Sequence, residues 1–511
     1  MLTSRLTSTL SRSIAHHFAS TSTKRNPAFS QLTPHDITFF QDNLSPGSVV
    51  TDNDALLKYN TDWLQQYHGS STLALLPSST EDISTILSHC NNRTLAITMQ
   101  GGNTGLVGGS VPLFDEIVLS MSRMNHVLDF DEISGIVVVE AGMILEELDN
   151  WLEQRGHMVP LDLGAKGSCQ IGGNVATNAG GLRYVKYGSL HGTVLGMEVV
   201  LPDGSILNEL SKLRKDNTGY DIKQLFIGSE GTLGAITKLA ISVPRRPLST
   251  NTMFLALHDF HAVQKTYAKA REQLAEILSA VEFADRQSLA VLLGEEQDED
   301  GNDTQCKDFK EPFDDKYPFH LLLEVSGSNE QHDTEKMNSF LDYCMKEGLI
   351  LDGVVAQNQT QSKEMWALRE NITVGLAQTG HVNKYDFSLP LHCFYDIVEE
   401  TRKRLKKKDP TVIVVGYGHV GDSNVHLNVC TPGVRGVCPE VLGVIEPFVY
   451  DYVREHQGSI SAEHGLGQMK PDKIYHTKGR KSVEVMVGIK KMFDPNGIMN
   501  PGKHLSYHVK R

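Results

Sequence analysis

The sequence has few cysteines and no long hydrophobic run. Its seven cysteines are odd in number and include no CxxC pair, so we expect small buried thiols in a reducing compartment rather than a disulfide framework. No apolar stretch approaches the ~18 residues that a membrane-spanning helix needs. Unbroken apolar stretches, such as 253–257 and 412–415, have the length of single strands. No membrane span is therefore predicted.

The chain also lacks an excess of positive charge. Its formal net charge is −14, which argues against nucleic acid as a partner. The first acidic residue is Asp36, whereas residues 1–30 carry four basic residues among many serines and threonines. This composition is typical of a transit peptide and predicts location in the mitochondrial matrix. A terminal tail without a targeting role is the alternative.

The length of 511 residues predicts two or three domains. A helix is expected to open near residue 80 with Ser79 or Thr80 as its cap, and strands alternate with helices up to a boundary at Pro244-Arg-Arg-Pro247. The acidic stretch 295–303 is interpreted as a solvated loop. The predicted order is a transit peptide (1–30), a helical lead-in (31–71), a nucleotide-binding domain (72–247), a substrate- and metal-binding domain (248–470) and a C-terminal helical segment (471–511).

Three glycine-rich loops occur at 100–110 (QGGNTGLVGGS), 167–181 (GSCQIGGNVATNAGG) and 228–236 (GSEGTLGAI). Glycines let a ligand approach main-chain N–H groups closely. The loops contain neither GxGxxG nor GxxxxGK[ST], so neither a Rossmann nor a Walker site is indicated. One such loop alone would be read as a turn, but three in succession favour a large phosphate-bearing cofactor.

The loops and their spacing resemble the FAD-binding domain of the vanillyl-alcohol oxidase and p-cresol methylhydroxylase family, over roughly residues 70–505. The resemblance implies an α+β fold with a two-subdomain FAD-binding domain, an α+β substrate domain with an antiparallel sheet, and a C-terminal helical segment. It also implies a diphosphate on the first loop, the flavin ring beside the second loop and Asn500, and adenine near Ile236. The first two loops lack histidine, so noncovalent FAD is expected. The implied FAD-binding residues are Gly101, Gly102, Asn103, Thr104, Gly105, Ser110, Ser168, Gly172, Gly173, Asn178, Gly181, Ile236 and Asn500.

Two histidines, His419 and His426, flank the turn of a hairpin expected between 412 and 429, and Glu463 lies downstream. On the residues alone a non-metal interpretation is favoured, because this spacing is not a standard zinc motif. However, the segments 416–428 (GYGHVGDSNVHLN) and 461–465 (SAEHG) resemble the metal and active-site motifs of D-2-hydroxy-acid dehydrogenases within the same superfamily. The resemblance implies that His419, His426 and Glu463 bind a divalent metal, with zinc as the leading candidate. One departure is Ser423, where a glycine is usual.

The segment 366–373 is predicted as one helix, which would place Arg369 and Thr373 on a shared face. Alone, these residues and Lys384 would be interpreted as surface groups. The segment 384–390 (KYDFSLP) resembles members of the group that act on D-2-hydroxyglutarate. The resemblance implies that Arg369, Thr373 and Lys384 bind the second carboxylate of that substrate, whereas Asn428 binds the carboxylate next to the hydroxyl.

The implied reaction transfers hydride from C2 of the 2-hydroxy acid to flavin N5 and a proton from its hydroxyl to a base. His464 is the expected base and also a substrate contact. The implied electron acceptor is electron-transfer flavoprotein, and the oligomeric state is open, with a homodimer as one candidate. Two alternatives stand: a D-lactate or glycolate dehydrogenase on the same fold, and a metal-binding structural protein or nucleotide sensor without turnover.

Overall fold

The computed structural model describes residues 24–294 and 309–506, which form fifteen α-helices and sixteen strands. The helices are α1 (Pro34–Asn43), α2 (Asn53–Asn60), α3 (Thr80–Arg93), α4 (Leu145–Glu153), α5 (Ile171–Thr177), α6 (Tyr184–Tyr187), α7 (Leu190–Thr193), α8 (Phe260–Gln273), α9 (Arg286–Leu293), α10 (Glu330–Lys346), α11 (Gln359–Glu370), α12 (Ile372–Thr379), α13 (Asp396–Lys406), α14 (Pro439–Glu455) and α15 (Arg480–Phe493). The strands are β1 (Val49–Val50), β2 (Ala74–Leu75), β3 (Ile97–Gln100), β4 (Ile117–Ser120), β5 (Val127–Asp131), β6 (Ile136–Glu140), β7 (Val194–Val200), β8 (Ile206–Glu209), β9 (Ala235–Ser242), β10 (Ser249–Leu257), β11 (Leu278–Asp285), β12 (Phe319–Gly327), β13 (Asp352–Val355), β14 (Gly380–Ser388), β15 (Ile413–His419) and β16 (Asn424–Pro432).

The chain divides into two compact units, and both are discontinuous in sequence. The described residues of the first unit are 24–180, 189–246 and 463–506. The second unit consists of 181–188 and 247–462, again without the residues that are not described. The described residues 463–506, which include most of the predicted C-terminal helical segment, thus belong to the first unit.

The first unit contains two sheets. The smaller has the strand order β1-β2-β4-β3 with parallel pairs at β2/β4 and β3/β4, and the larger is antiparallel with the order β5-β6-β9-β7-β8. Helix α3 begins where the sequence predicts, because the Ser79 side chain accepts a hydrogen bond from the Asp82 N–H at 3.0 Å. Its apolar face, with Ile83, Ile86 and Leu87, is fully buried. Two sheets within one unit agree with the predicted two-subdomain architecture.

Both ends of the described chain pack on this first unit. Arg25, within the predicted transit peptide, forms an ion pair with Asp115 at 2.6 Å, and the Phe29 side chain is buried in the core. At the other end, helix α15 places Phe493 edge-on against Phe226, with ring centroids 5.5 Å apart. The folded region therefore includes the last residues of the predicted transit peptide, while residues 1–23 lie outside the described part of the chain.

The second unit is built on one antiparallel sheet of seven strands, in the order β13-β10-β12-β11-β15-β16-β14. Helices α9 and α12 pack on one face of β11, β15 and β16, where Val415, Ile372 and Leu376 share an apolar cluster. Helix α13 packs against β15 as well. It lies on the opposite face, because a Cβ on Gly416 would meet Val398 of α13 at 2.7 Å. The predicted antiparallel sheet is present, with every strand pair antiparallel.

The predicted hairpin is formed by β15 and β16, with the turn at 420–423. Ser423 has a φ of +65° in this turn, a left-handed conformation that glycine adopts without strain. Ser423 therefore occupies a position that favours glycine.

Cys90, Cys344 and Cys393 are buried thiols, as predicted, and burial raises the pKa of the Cys344 thiol to about 12. None of the described helices is both long and apolar enough to span a bilayer. The acidic stretch 295–303 lies outside the described residues.

Candidate functional site

The glycine-rich loops line a cleft of about 950 Å³, a volume that includes the open solvent at its mouth. The cleft lies wholly within the first unit. Ten of the thirteen predicted FAD-binding residues line it: Gly101, Gly102, Asn103, Thr104, Gly105, Ser110, Gly172, Gly173, Ile236 and Asn500. Ser168, Asn178 and Gly181 are not among its lining residues, and Gly181 belongs to the second unit. Their assignment stays a prediction.

The cleft has the features that a phosphate-bearing cofactor requires. The side-chain oxygens of Gln170 and Asn174 are buried there and find no hydrogen-bond partner among the described residues. Because buried polar atoms are normally satisfied, these acceptor oxygens fit a ligand that donates hydrogen bonds, as the hydroxyl groups of a dinucleotide do. Gly105 and Gly173 have no atom within 4 Å of where a Cβ would stand, so their backbones are open to the cleft. The residues present therefore fit a bound dinucleotide.

Two predicted cofactor residues also hold the loops themselves. Asn103 has a φ of +54°, and its side-chain oxygen accepts a hydrogen bond from Ser110 at 2.7 Å. The Asn500 side chain accepts from the Met99 N–H at 3.0 Å and donates to the Glu230 carbonyl at 2.6 Å. Asn500 thus joins the C-terminal segment to β3, which leads into the first glycine loop, and to the third glycine loop.

A buried carboxylate, Glu230, fixes the segment that follows Glu463 and His464. Its two oxygens accept hydrogen bonds from the N–H groups of Leu466 and Gly467 at 2.8 and 2.7 Å. His504 pairs with it at 2.9 Å. Burial opposes a charge on His504, yet the Glu230 carboxylate outweighs burial and leaves the pKa of His504 raised. His464 itself lines the FAD cleft.

Four other predicted site residues, His419, His426, Lys384 and Asn428, lie on one face of three adjacent strands in the second unit, and that face continues onto β11. Residues directly opposite each other in antiparallel strands point to the same face. The register pairs that share this face are Glu282 with His419, Ala284 and His426 with Tyr417, Asp386 with His426, and Lys384 with Asn428.

The side chains of His419 and His426 face each other through their Nε2 atoms. The Nε2 atoms of His419 and His426 are 3.2 Å apart. A carboxylate oxygen of Glu282 lies 2.7 Å from His419 Nδ1, and one of Asp386 lies 3.8 Å from His426 Nδ1. Because an ionised carboxylate only accepts hydrogen bonds, Glu282 favours the tautomer of His419 that leaves the Nε2 lone pair available.

Buried acids surround this histidine pair. Asp386 accepts hydrogen bonds from the Asn424 side chain and from the Ala462 N–H at 3.1 Å. Ala462 is the residue that precedes Glu463 in the chain, so Asp386 fixes the segment leading to that predicted ligand. Burial raises the pKa of Asp422, in the hairpin turn, to about 6, although the nearby His419 opposes this shift.

Three of the four predicted carboxylate-binding residues meet at Tyr417. The Thr373 hydroxyl and the Asn428 side-chain nitrogen each lie 2.7 Å from the Tyr417 hydroxyl. The Arg369 guanidinium lies over the Tyr417 ring, 4.8 Å from its centroid. The single helix predicted over 366–373 is wrong, because α11 ends at Glu370 and α12 begins at Ile372. Arg369 and Thr373 converge nevertheless, each from its own helix.

The two cationic side chains of the site differ in their surroundings. Arg369 is buried and donates to Glu282 through Nε at 3.0 Å, with its NH2 nitrogen 2.8 Å from the same oxygen. Lys384 makes no hydrogen bond or ion pair with any residue that the structure describes. Burial alone lowers the pKa of Lys384. The charge of Arg369 is therefore balanced, whereas that of Lys384 is not.

Sequence reasoning missed Tyr417, Glu282, Asp386 and Glu230. Tyr417 stands two residues before His419 in a strand, so alternation alone places both on one face. Glu282 is a charged residue within the mostly apolar strand β11, which is a recognisable signal. Glu230 has no such signal, because its partners come from segments more than 230 residues away.

Comparison with family models identifies both parts of the chain. Residues 72–209 match the FAD binding domain, and residues 246–504, about half the chain, match the C-terminal domain of FAD linked oxidases. The chain belongs to the FAD-linked oxidases. This member of the family is a flavoenzyme, as the glycine loops and their cleft indicate, and the predicted FAD cofactor is confirmed.

Similar proteins indicate to which group within the family the chain is related. The chain is 48% identical to an Arabidopsis thaliana protein named D-2-hydroxyglutarate dehydrogenase, mitochondrial, over 95% of this chain and 84% of the relative. It is 50% identical to a Danio rerio protein of the same name over 94% and 87%. A Schizosaccharomyces pombe protein, 47% identical over 94% and 92%, is named a putative mitochondrial D-lactate dehydrogenase. The predicted resemblance to D-2-hydroxyglutarate dehydrogenases is confirmed.

Comparison with solved structures shows the fold. The p-cresol methylhydroxylase structure matches with a TM-score of 0.73 at 15% identity, over 92% of this chain and 96% of that one. The predicted fold class, with its two-subdomain FAD-binding domain and antiparallel substrate domain, is thereby confirmed.

Proposed function

We propose that this flavoenzyme oxidises D-2-hydroxyglutarate to 2-oxoglutarate. One observation carries the proposal: Arg369, Thr373, Lys384 and Asn428 gather on the sheet face that also holds the histidine pair. Lys384 is a partly buried cation without a hydrogen-bond or ion-pair partner among the described residues, and a second carboxylate would supply one. The names of the plant and fish relatives support the same substrate.

We propose that His419, His426 and Glu463 hold a divalent metal, zinc being the leading candidate. Tetrahedral zinc with Zn–N bonds of about 2.0–2.1 Å places two ligand nitrogens about 3.3 Å apart. The 3.2 Å between the two Nε2 atoms fits this spacing. Carboxylates on the Nδ1 side of both rings are typical of ligating histidines. The donor set present therefore fits the metal that the motifs imply.

Different side chains of this enzyme would have different roles in the reaction. Bound FAD supplies a two-electron acceptor, and the metal supplies a Lewis acid. Lys384, Arg369 and Thr373 would bind the carboxylate far from the reacting carbon, and Asn428 would bind the near one, so that C2 is held in one orientation. His464 would accept the proton of the 2-hydroxyl, which its position in the wall of the FAD cleft supports.

We further propose that electron-transfer flavoprotein receives the electrons and that the enzyme works in the mitochondrial matrix. The relatives are named mitochondrial, and the basic, acid-free character of residues 1–30 supports import. The noncovalent attachment of FAD and a homodimeric state are also proposals.

The proposed function is tested by substrate bleaching under anaerobic conditions. D-2-hydroxyglutarate should bleach the yellow enzyme rapidly, whereas D-lactate and glycolate should act more slowly at equal concentration. The name of the fission-yeast relative makes D-lactate oxidation the second candidate function. Faster bleaching by D-lactate would establish that candidate instead, and no bleaching by any 2-hydroxy acid would refute both.

Noncovalent FAD gives a separate prediction. No histidine lies in the first two glycine loops, at 100–110 and 167–181, so acid precipitation should release the flavin into the supernatant. Absorbance near the flavin bands measures the released fraction. A yellow pellet would show a covalent bond.

A further inference from the structure

Glu282 is a charged residue in the middle of a buried strand and has no role in the reaction as described above. Its side chain is 1% exposed, and every residue of β11 is buried. A carboxylate in such surroundings is unfavourable unless charge and hydrogen bonds compensate it. The contacts that compensate Glu282 therefore show what holds it there.

Each oxygen of Glu282 contacts a different part of the proposed site. Oε1 lies 2.7 Å from Nδ1 of His419, its register partner on β15. Oε2 accepts from Nε of Arg369 at 3.0 Å and lies 2.8 Å from the NH2 nitrogen. A purely structural ion pair would need only Arg369. The contact with His419 fixes a ring whose other nitrogen faces His426.

We propose that Glu282 is a positioning residue that couples the metal site to the substrate site. Through Oε1 it sets the tautomer and orientation of His419, and through Oε2 it holds the Arg369 guanidinium over the Tyr417 ring. This inference rests on the proposed function, since it takes His419 as a metal ligand and Arg369 as a carboxylate-binding group.

The chain offers a matched control in Glu324. This glutamate is also buried and lies on the neighbouring strand β12. Its carboxylate accepts a hydrogen bond from the Ser279 hydroxyl at 2.8 Å and forms an ion pair with Arg183 at 3.5 Å. It therefore reproduces a buried carboxylate with an arginine partner, but has no contact with His419. Glu324→Gln and Glu282→Gln each remove one negative charge with almost no change of shape.

The test measures zinc retention in the holoenzyme against graded concentrations of a chelator. Metal per protein, flavin content and the melting temperature are recorded for each variant. We expect Glu282→Gln to lose zinc at ~10- to 100-fold lower chelator concentration than the unmodified enzyme, as is typical when the hydrogen-bond partner of a ligating histidine is lost. Glu324→Gln should retain zinc like the unmodified enzyme.

His419→Ala separates this inference from the proposed function. If His419→Ala retains zinc normally, the proposed metal site is wrong. If His419→Ala loses zinc while Glu282→Gln retains it as Glu324→Gln does, the metal site stands and the role of Glu282 is refuted.

The substrate half of the proposal has its own measurement. At saturating zinc, Glu282→Gln should raise KM for the hydroxy acid more than it lowers kcat, because Arg369 loses its support. An unchanged KM would refute the coupling to Arg369. If Glu282→Gln does not fold, Glu282→Asp decides both questions, since it keeps the charge but withdraws the carboxylate by one methylene; the same losses are expected.

Discussion

Removal of the metal should abolish oxidation of D-2-hydroxyglutarate while the flavin stays bound. A Lewis acid at the reacting oxygen contributes several kcal/mol to stabilisation of the transition state. Since each 1.36 kcal/mol is a factor of ten in rate, the loss should reach ~10³-fold or more. The flavin should stay, because the cleft in the first unit is lined by none of the proposed ligands His419, His426 and Glu463.

The measurement compares chelator-treated enzyme with enzyme to which zinc has been returned. His426→Ala should lose activity to the same degree and should not recover with zinc. His261→Ala serves as the control, because His261 is exposed on α8 and far along the chain from every proposed ligand. Full turnover in enzyme shown by elemental analysis to be metal-free would refute a role for the metal in catalysis.

Lys384→Met should lower kcat/KM for D-2-hydroxyglutarate by ~10- to 100-fold. A charge-assisted hydrogen bond to a desolvated carboxylate contributes on the order of 1.5–3 kcal/mol, and methionine keeps the length of the side chain without its charge. D-lactate has no far carboxylate, so its kcat/KM should change much less. Lys363→Met, on the exposed surface of α11, is the matched control. Equal losses for both acids would contradict the assignment of Lys384 to the far carboxylate.

The pH dependence gives a second readout of the same variant. Burial lowers the pKa of Lys384, so its charge is present below the lowered pKa and is lost as pH rises through it. In the unmodified enzyme kcat/KM for D-2-hydroxyglutarate should therefore fall at a pH lower than an exposed lysine would give. This alkaline decrease should be absent for D-lactate and absent in Lys384→Met. A decrease that persists in Lys384→Met must come from another group.

Arg369 is the less informative target of the two cations. The sequence predicted that Arg369 binds a carboxylate of the substrate, but its guanidinium already forms an ion pair with Glu282. Arg369→Ala would leave a buried carboxylate unpaired, so a loss of activity would combine binding with structural damage. Lys384, which has no such partner among the described residues, separates the two effects.

Local sequence patterns predicted the secondary-structure elements that are determined by residues close to them in the sequence. The capping serine of α3 and the hairpin of β15 and β16 both depend on neighbouring residues, and they form near the expected positions. The break between α11 and α12 was missed. Asn371 joins the two helices, and the sequence there contains neither glycine nor proline to signal the interruption.

The missed site residues depend on sheet register, which a single sequence does not reveal. Glu282 meets His419 only because β11 pairs with β15, two strands separated by more than 120 residues. Asp386 meets His426 because β14 pairs with β16. Alternation could have placed Tyr417 beside His419. The register of β16 brings Asn428 to Tyr417, and the packing of α11 and α12 brings Arg369 and Thr373 to it.

The same register determines when the site can exist during folding. Its strands, β11, β14, β15 and β16, span residues 278–432, and the two outer ones join the hairpin only through long-range pairing. Non-local pairing of this kind slows folding, because a long loop must be closed before the contacts form. The hairpin can bring His419 and His426 together early, but Glu282 and Asp386 arrive only when the sheet closes. The complete ligand environment is thus a property of the native sheet, and a metal that binds it adds its binding free energy to the stability of the folded state.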